Sequence, residues 1–219
     1  MSNLTVACLS VGEHYRKLTE IGRESHTNFC LYRNFIYLDE QNRDSTRPIS
    51  WSKIILIQKC LPTLQTEFLL YLDADTLITN SEFDFTPYIY KLDHENTDLL
   101  LVRDSSALNA GVMLIRNTTR VLDLFQRVWE RTNRIRHKWW EQAALIDEYR
   151  KNQESRRLIS VIPKDEHGLL NPTSEEYWTK DSLLIHFAGL PKHSLIGLFR
   201  KYKQILDDSS TIRIQAMNG

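Results

Sequence analysis

The stretch FLLYLDADTLI, residues 68–78, decides the fold class of this sequence of 219 residues. Five apolar or aromatic residues run directly into two carboxylates that stand one residue apart. A short apolar run bounded by polar residues predicts a strand buried on both faces, as in the centre of a parallel sheet. Because ligands of open α/β sheets bind at the carboxyl ends of strands, Asp73 and Asp75 stand where a ligand is expected.

The spacing of these two carboxylates indicates a metal site. On an extended chain, residues i and i+2 share a face, so Asp73 and Asp75 are predicted to point at one ion. A hard divalent cation with oxygen ligands would suit them and could hold a diphosphate. The pattern Asp-x-Asp is common, however, and is also typical of a solvated turn after a strand, so other motifs have to decide.

Composition narrows the class of protein. The formal net charge is +0 and 26% of the residues are charged, which excludes a broad basic surface for nucleic acid. The length of 219 residues suits one large α/β domain over residues 1–219 better than two small ones, and the hydrophobic content of 42% is enough to bury a core. The tail from residue 207 either ends this domain or begins a linker in a longer chain.

The cysteines and the N-terminus bear on the compartment. Cys8, Cys30 and Cys60 are odd in number and form no Cys-x-x-Cys pair, which predicts reduced core thiols in a reducing compartment. The N-terminus lacks the basic start and long apolar stretch of a signal peptide. Since no segment approaches the roughly 20 apolar residues that span a bilayer, we expect a cytoplasmic or otherwise soluble protein without a membrane segment.

Hydrophobic spacing predicts the order of the elements. Strands are predicted over 4–9, 34–38, 68–72, 99–102, 111–115, 158–162 and 183–187. Helices are predicted over 13–33, 54–64, 121–136 and 141–149 and from residue 195, with a short helix or loop over 87–94. Strands and helices alternate at first and strands cluster later, which favours a nucleotide-binding α/β sheet extended by mixed strands.

Four further motifs accompany the Asp-Ala-Asp strand in a fixed order. They are WSKI at 51–54, LNAGVMLIRN at 108–117, WEQAAL at 140–145 and HFAG at 186–189. Together they resemble the GT-A glycosyltransferases over roughly residues 4–199. The resemblance is closest to family 34, the galactosyl- and xylosyltransferases of fungi and plants, and more distant to family 8, which includes glycogenin; small enzymes of this kind also occur in large algal viruses. It implies the GT-A nucleotide-diphospho-sugar transferase fold, a single Rossmann-like mixed sheet flanked by helices.

The resemblance implies a cation and a donor. His186 matches the third metal ligand beside Asp73 and Asp75, and one imidazole with two carboxylates suits Mn²⁺, with Mg²⁺ as the alternative. Such a cation stabilises the charge that develops on the departing UDP. The implied partners are a UDP-sugar donor carrying glucose, galactose or xylose, and a carbohydrate or glycoprotein acceptor.

The resemblance also places the donor-binding residues. Tyr15 would cover the uracil, and an aromatic face suits stacking. Asp104 would accept hydrogen bonds from sugar hydroxyls. The remaining positions, at the phosphates or the sugar, are Lys53, Asn109, Ala110, Gly111 and Lys192. Leu190 stands where family 34 usually has a cysteine, so the loop that carries Lys192 departs from the family pattern.

The catalytic pair implied by the resemblance is Glu141 and Gln142, beside the reacting carbon. Gln142 would stabilise an oxocarbenium-like centre or position the acceptor, while Glu141 is the stronger nucleophile for a double displacement. A front-face path, in which the acceptor attacks on the side from which UDP departs, also gives retention. Trp140 is a candidate stacking platform for an acceptor sugar.

Three other functions remain open at this point. An inverting enzyme of the same fold would need a carboxylate base, with Asp147, Asp165 and Glu166 as candidates. A nucleotidyltransferase would usually carry a glycine-rich loop after its first strand, where only Gly12 occurs here. A non-catalytic sugar-nucleotide-binding module would not need the full set of metal and catalytic residues.

Overall fold

The computed structural model describes residues 4–43, 46–104, 107–163, 169–173 and 175–217, with side chains described as far as residue 207. The strands are β1 Leu4–Leu9, β2 Ile36–Glu40, β3 Phe68–Asp73, β4 Thr76–Ile78, β5 Leu99–Arg103, β6 Leu108–Arg116, β7 Ile159–Ile162 and β8 Leu184–His186. The α-helices are α1 Glu13–Leu18, α2 Glu20–Arg33, α3 Ser52–Cys60, α4 Thr86–Glu95, α5 Thr119–Glu130, α6 Trp140–Lys151, α7 Gln153–Arg157 and α8 Lys192–Met217.

Within these described ranges, six strands form one mixed sheet in the order β2-β1-β3-β6-β5-β7. β3 pairs parallel with β1 on one side and antiparallel with β6 on the other. The predicted mixed sheet flanked by helices is confirmed. The prediction of β3 as a central parallel strand holds for its pairing with β1 only, because β6 runs antiparallel on its other side.

The central strand is buried on both faces, as its apolar run predicts. Leu69 and Tyr71 pack into a core shared with α3, α5 and α6, whereas Leu70 and Leu72 pack into a second core shared with α2 and α4. All four side chains are fully buried. The alternation follows from the two-residue period of a strand, whose successive side chains point to opposite faces.

A second, two-stranded sheet continues from the carboxyl end of β3. β4 pairs antiparallel with β8, and Thr76 is directly opposite His186. Leu77 and Ile185 from this small sheet pack with Phe199 of α8 in a third apolar cluster. The strand that ends at His186 was predicted, but its pairing with the unpredicted β4 is what carries His186 back to the end of β3.

Several boundaries differ from the predictions. The predicted helix over 13–33 is interrupted at Thr19 and forms α1 and α2. Asn34 ends α2 in the left-handed conformation, with φ of 54°, so β2 starts later than predicted. β6 starts at Leu108, which places Asn109 to Gly111 inside a strand, and the short α7 was not predicted.

The cysteines follow the prediction: Cys8, Cys30 and Cys60 are free and buried. Among the described helices, none combines the length and the apolar character that crossing a bilayer requires.

Candidate active site

Three potential metal ligands converge where β3 ends. One ligand atom from each of Asp73, Asp75 and His186 lies within 4.8 Å of the other two. Nε2 of His186 is 3.5 Å from Oδ1 of Asp75. The prediction that Asp73 and Asp75 share one face of an extended strand is wrong, because Ala74 and Asp75 form a turn.

That turn is tied to the segment that carries the histidine. The N–H of Phe187 donates to the carbonyl of Asp75 at 3.0 Å. The Thr76 hydroxyl donates to the carbonyl of Asp73 at 2.7 Å. These bonds fix the backbone segments that carry the two carboxylates and the imidazole relative to one another.

The donor set fits a divalent cation. Two carboxylates and an imidazole are ligands that Mn²⁺ accepts. Gly111 borders the cluster, and a Cβ at this position would meet both the His186 ring and Oδ2 of Asp73. A glycine here therefore leaves room for the three ligands to approach one another.

A buried ammonium holds the first carboxylate. Nζ of Lys53 lies 2.9 Å from Oδ1 of Asp73 and 3.0 Å from Oε1 of Glu141. It also donates to the carbonyl of Ala110 at 3.2 Å, and the hydroxyl of Tyr71 donates to Oδ1 of Asp73 at 2.9 Å. Burial acts to lower the pKa of Lys53, but the two carboxylates outweigh it and hold that pKa above its ordinary value, so the ammonium stays charged.

The two metal-site aspartates have pKa values that move in opposite directions. Burial raises the pKa of Asp73, against the attraction of Lys53. Burial also acts to raise the pKa of Asp75, but its contact with His186 outweighs that effect and holds the pKa below its ordinary value. A bound cation would favour the ionised form of both carboxylates.

Comparison with known proteins identifies the family. A family model described as nucleotide-diphospho-sugar transferase matches residues 25–194, most of the chain. The chain belongs to the nucleotide-diphospho-sugar transferase family. This membership confirms the predicted GT-A resemblance and the glycosyltransferase class.

A curated relative agrees with this assignment. A probable alpha-1,2-galactosyltransferase, gmh2, of Schizosaccharomyces pombe is 28% identical over 139 residues, which are 58% of this chain and 38% of that protein. The chain thus spans well under half the length of that relative.

Solved structures share the fold. One is a glycosyltransferase involved in the glycosylation of the major capsid of PBCV-1, with a TM-score of 0.70 and 19% identity over 90% of this chain and 99% of that one. Another is the glycosyltransferase GlyE of Streptococcus pneumoniae TIGR4, with a TM-score of 0.58 and 16% identity over 97% of this chain and 64% of that one. At such identities these likenesses show the fold alone.

In this nucleotide-diphospho-sugar transferase, the predicted catalytic pair lies beside the metal-site cluster. Oε1 of Gln142 accepts a hydrogen bond from the N–H of Ala110 at 3.0 Å. Glu141 is buried, and its Oε2 has no hydrogen-bond partner among the described residues. Trp140, which precedes the pair, is 45% exposed and has φ of 41°, a strained conformation for a bulky residue and one that is common at functional sites.

Two predicted donor-binding residues of the transferase contact each other across the site. Nζ of Lys192, at the start of α8, lies 5.1 Å from the centre of the Tyr15 ring on α1. Burial raises the pKa of Tyr15, and the negative charges of Asp75 and Asp73 raise it further. Their predicted contacts with uracil and diphosphate stay predictions.

Asp104 and Asn109 are joined within the fold. Oδ2 of Asp104 accepts from Nδ2 of Asn109 at 3.1 Å, and Oδ1 accepts from the N–H of Ala107 at 2.8 Å. The role predicted for Asp104 at the sugar hydroxyls stays a prediction. Lys53 was predicted at a phosphate or the sugar, but its ammonium lies between Asp73, Glu141 and the Ala110 carbonyl, so a donor contact would have to replace one of these.

Two residues at the site, Tyr71 and Asn171, were not predicted from the sequence. Tyr71 stands two residues before Asp73 on the same face of β3, so the period of the strand could have revealed it. Asn171, whose side chain reaches His186 at 3.1 Å, lies in a connecting segment where no periodic signal exists. Of the candidate bases for inversion, Asp165 and Glu166 lie outside the described residues.

Proposed function

We propose that the chain is a metal-dependent glycosyltransferase that moves a hexose or pentose from a UDP-sugar to a glycan or glycoprotein acceptor with retention. The observation that carries this proposal is the convergence of Asp73, Asp75 and His186 at the carboxyl end of β3, in a chain of the nucleotide-diphospho-sugar transferase family. Such strand ends are where ligands of α/β sheets bind.

Asp73, Asp75 and His186 would hold Mn²⁺, with Mg²⁺ as the alternative. When bound, the cation supplies positive charge for the diphosphate that leaves the sugar. Lys53 and Tyr71 hold the carboxylate of Asp73 in one orientation, so little reorganisation is needed when the donor enters.

The surroundings of Glu141 favour a front-face reaction over a double displacement. Its Oε1 is bound by the buried ammonium of Lys53, which lowers the nucleophilicity of the carboxylate. The acceptor hydroxyl would attack the anomeric carbon on the side from which UDP leaves. Its proton would pass to a phosphate oxygen of the departing UDP.

Gln142 is the residue that we assign to the reacting carbon. Its Oε1 is fixed by the Ala110 N–H, so the amide has a defined orientation and Nε2 remains as its donor. We assign it to positioning the acceptor or to stabilising the oxocarbenium-like centre.

The environment of Asp147 argues against inversion through this residue. Burial acts to raise its pKa, but hydrogen bonds from Arg134 and Lys151 outweigh it and hold the pKa below its ordinary value. Arg134 Nε lies 2.7 Å and Lys151 Nζ 2.9 Å from its carboxylate oxygens. A carboxylate paired in this way is a poor general base.

The donor sugar that we place first is galactose. This choice rests on the name of the Schizosaccharomyces pombe relative, a probable galactosyltransferase of which this chain matches 38%. Glucose and xylose are the alternatives.

A donor screen tests the proposed function. Hydrolysis of UDP-galactose, UDP-glucose and UDP-xylose is measured with Mn²⁺ and with chelator, and the expected result is Mn²⁺-dependent release of UDP, fastest from UDP-galactose. Once an acceptor is found, NMR coupling constants of the product should show the anomeric configuration of the donor. Absence of UDP release and of UDP binding under every metal condition would contradict the proposal.

A further inference from the structure

A chain of side-chain hydrogen bonds runs behind the metal-site cluster. Nδ2 of Asn109 donates to Oδ2 of Asp104, and Nδ2 of Asn171 donates to Oδ1 of Asn109, each at 3.1 Å. Oδ1 of Asn171 lies 3.1 Å from Nδ1 of His186. Both asparagines and the histidine are buried, so water does not substitute for these contacts.

Asp104 and Gly111 both contact the amide of Asn109 and determine which of its atoms donates and which accepts. The carboxylate of Asp104 can only accept, and the backbone N–H of Gly111, 2.9 Å from Oδ1 of Asn109, can only donate. The amide of Asn109 therefore has one orientation, with its nitrogen toward Asp104 and its oxygen toward Gly111. A flipped amide would place oxygen against oxygen and leave buried groups unpaired.

The orientation of the Asn109 amide in turn determines the orientation of the Asn171 amide. Oδ1 of Asn109 can only accept, so Asn171 turns Nδ2 toward it and Oδ1 toward His186. Because that oxygen can only accept, Nδ1 of His186 must carry a proton.

The backbone holds Asn171 at the ring. The N–H of His186 donates to the carbonyl of Pro172 at 3.0 Å, and the N–H of Leu183 donates to the carbonyl of Leu169 at 2.7 Å. Residues 169–173 therefore run beside β8. On its other side β8 pairs with β4, so the ring and the amide are both fixed by regular backbone contacts.

We propose that Asn171 is a positioning residue that keeps Nδ1 of His186 protonated and leaves Nε2 as the nitrogen that faces Asp73 and Asp75. With Nδ1 occupied, Nε2 is the only ring nitrogen that can give up a proton and bind a cation. The cation rests on the proposed function; the protonation of Nδ1 does not, since it follows from contacts within the protein alone.

NMR of the metal-free protein tests the position of the proton directly. Two-bond and three-bond ¹H–¹⁵N correlations on ¹⁵N-histidine protein show which ring nitrogens carry protons, and His186→Gln identifies the signal by its loss. The expected result is a protonated Nδ1 in the metal-free protein and after addition of Mg²⁺. A bare Nδ1 in the wild-type protein would overturn the proposal.

Two variants separate the role of the Asn171 oxygen from packing. Asn171→Leu removes the acceptor, and we expect Nδ1 to lose its defined proton and the Kd for Mn²⁺ to rise about 10- to 100-fold. Asn171→Asp loses the donor to Oδ1 of Asn109 but keeps an acceptor for His186, so Nδ1 should stay protonated. Asn117→Leu is the control, because Asn117 bonds the carbonyls of Leu64 and Thr66 near the opposite end of β3.

These experiments distinguish failure of the proposal on Asn171 from failure of the proposed function. Unchanged Nδ1 protonation and unchanged Mn²⁺ affinity in Asn171→Leu would overturn the role of Asn171. Failure of the wild-type protein to bind Mn²⁺ would count against the proposed function, while the NMR result on Nδ1 would still decide the proposal on Asn171. If Asn171→Leu does not fold, the wild-type and Asn171→Asp spectra decide it.

Discussion

Gly111 and His186 are in direct contact at the site. A Cβ built on Gly111 would stand 2.2 Å from Cε1 and 2.8 Å from Nε2 of the His186 ring. Atoms cannot approach this closely, so any side chain at residue 111 forces the imidazole to move. The position of His186 at the end of β8 thus depends on the absence of a side chain at residue 111 in β6.

Gly111→Ala is expected to displace the His186 ring and weaken binding of Mn²⁺ about 10- to 100-fold, measured by calorimetry. Gly197→Ala is the matched control, because a Cβ at residue 197 meets nothing within 4 Å and the residue lies in α8. That control should leave Mn²⁺ binding unchanged and stabilise the helix by about 0.5–1 kcal/mol. Equal Mn²⁺ affinity in Gly111→Ala and wild type would exclude His186 as a ligand in the observed position.

Lys53→Met is expected to lower the free energy of unfolding by about 3–5 kcal/mol, measured by denaturant titration. Lys53 is 5% exposed and lies between Asp73 and Glu141, so its removal leaves two carboxylates without a counter-charge. Lys201→Met removes an exposed ion pair with Glu175 and should change stability by less than about 0.5 kcal/mol. Similar small losses in both variants would show that the buried ammonium does not hold these carboxylates.

The buried His26 should make stability depend on pH. Nε2 of His26 lies 2.9 Å from Oγ1 of Thr76, and burial lowers the pKa from 6.5 to about 4 despite the hydrogen bond to Thr76. Between these values the unfolded chain binds a proton that the folded protein does not, so stability falls as the pH falls. From pH 7 to pH 5 the loss due to His26 is about 2 kcal/mol.

Urea titrations at pH 7 and pH 5 measure this loss as the difference between wild type and His26→Gln. The free energy of unfolding of wild type minus that of His26→Gln should shrink or change sign at pH 5, because the glutamine cannot titrate. His94→Gln, at an exposed position, should keep the wild-type pH dependence. An equal difference at both pH values would mean that His26 binds a proton as readily in the folded protein as in the unfolded chain, which contradicts the lowered pKa.

Gln142→Ala is expected to lower kcat by about 10²–10³-fold and to change donor KM little, because its amide is assigned to the transition state and not to donor binding. Steady-state kinetics with the donor identified in the screen measure both constants. Gln126→Ala, on the exposed face of α5, should leave them unchanged. The opposite pattern, a raised KM with kcat intact, would move Gln142 out of the reaction centre.

The main strands and helices could be predicted because the apolar patterns that specify them lie within short stretches of the sequence. The run from Phe68 to Leu72 is long and uniformly apolar, so β3 and its burial could be predicted from the pattern alone. β4 was missed because three residues carry too little periodicity. Without β4, the sequence could place His186 at the end of a strand but could not show the pairing that brings it to Asp75.

The arrangement of the site depends on contacts between distant segments. Lys53 was expected to reach the donor, but the crossing of α3 with β3 and α6 brings its ammonium between Asp73 and Glu141. Asn171 acquires its contact only because residues 169–173 run beside β8. Neither the contacts of Lys53 nor the contact of Asn171 follows from a residue pattern at fixed spacing in the sequence.

Calorimetric titration of UDP with and without Mn²⁺ tests the central claim most directly, in wild type and in Asp75→Ala. We predict that wild type binds UDP only with Mn²⁺ present, and that Asp75→Ala keeps its fold by circular dichroism but loses this binding. UDP binding that is independent of Mn²⁺, or that survives unchanged in Asp75→Ala, would contradict a cation site formed by Asp73, Asp75 and His186.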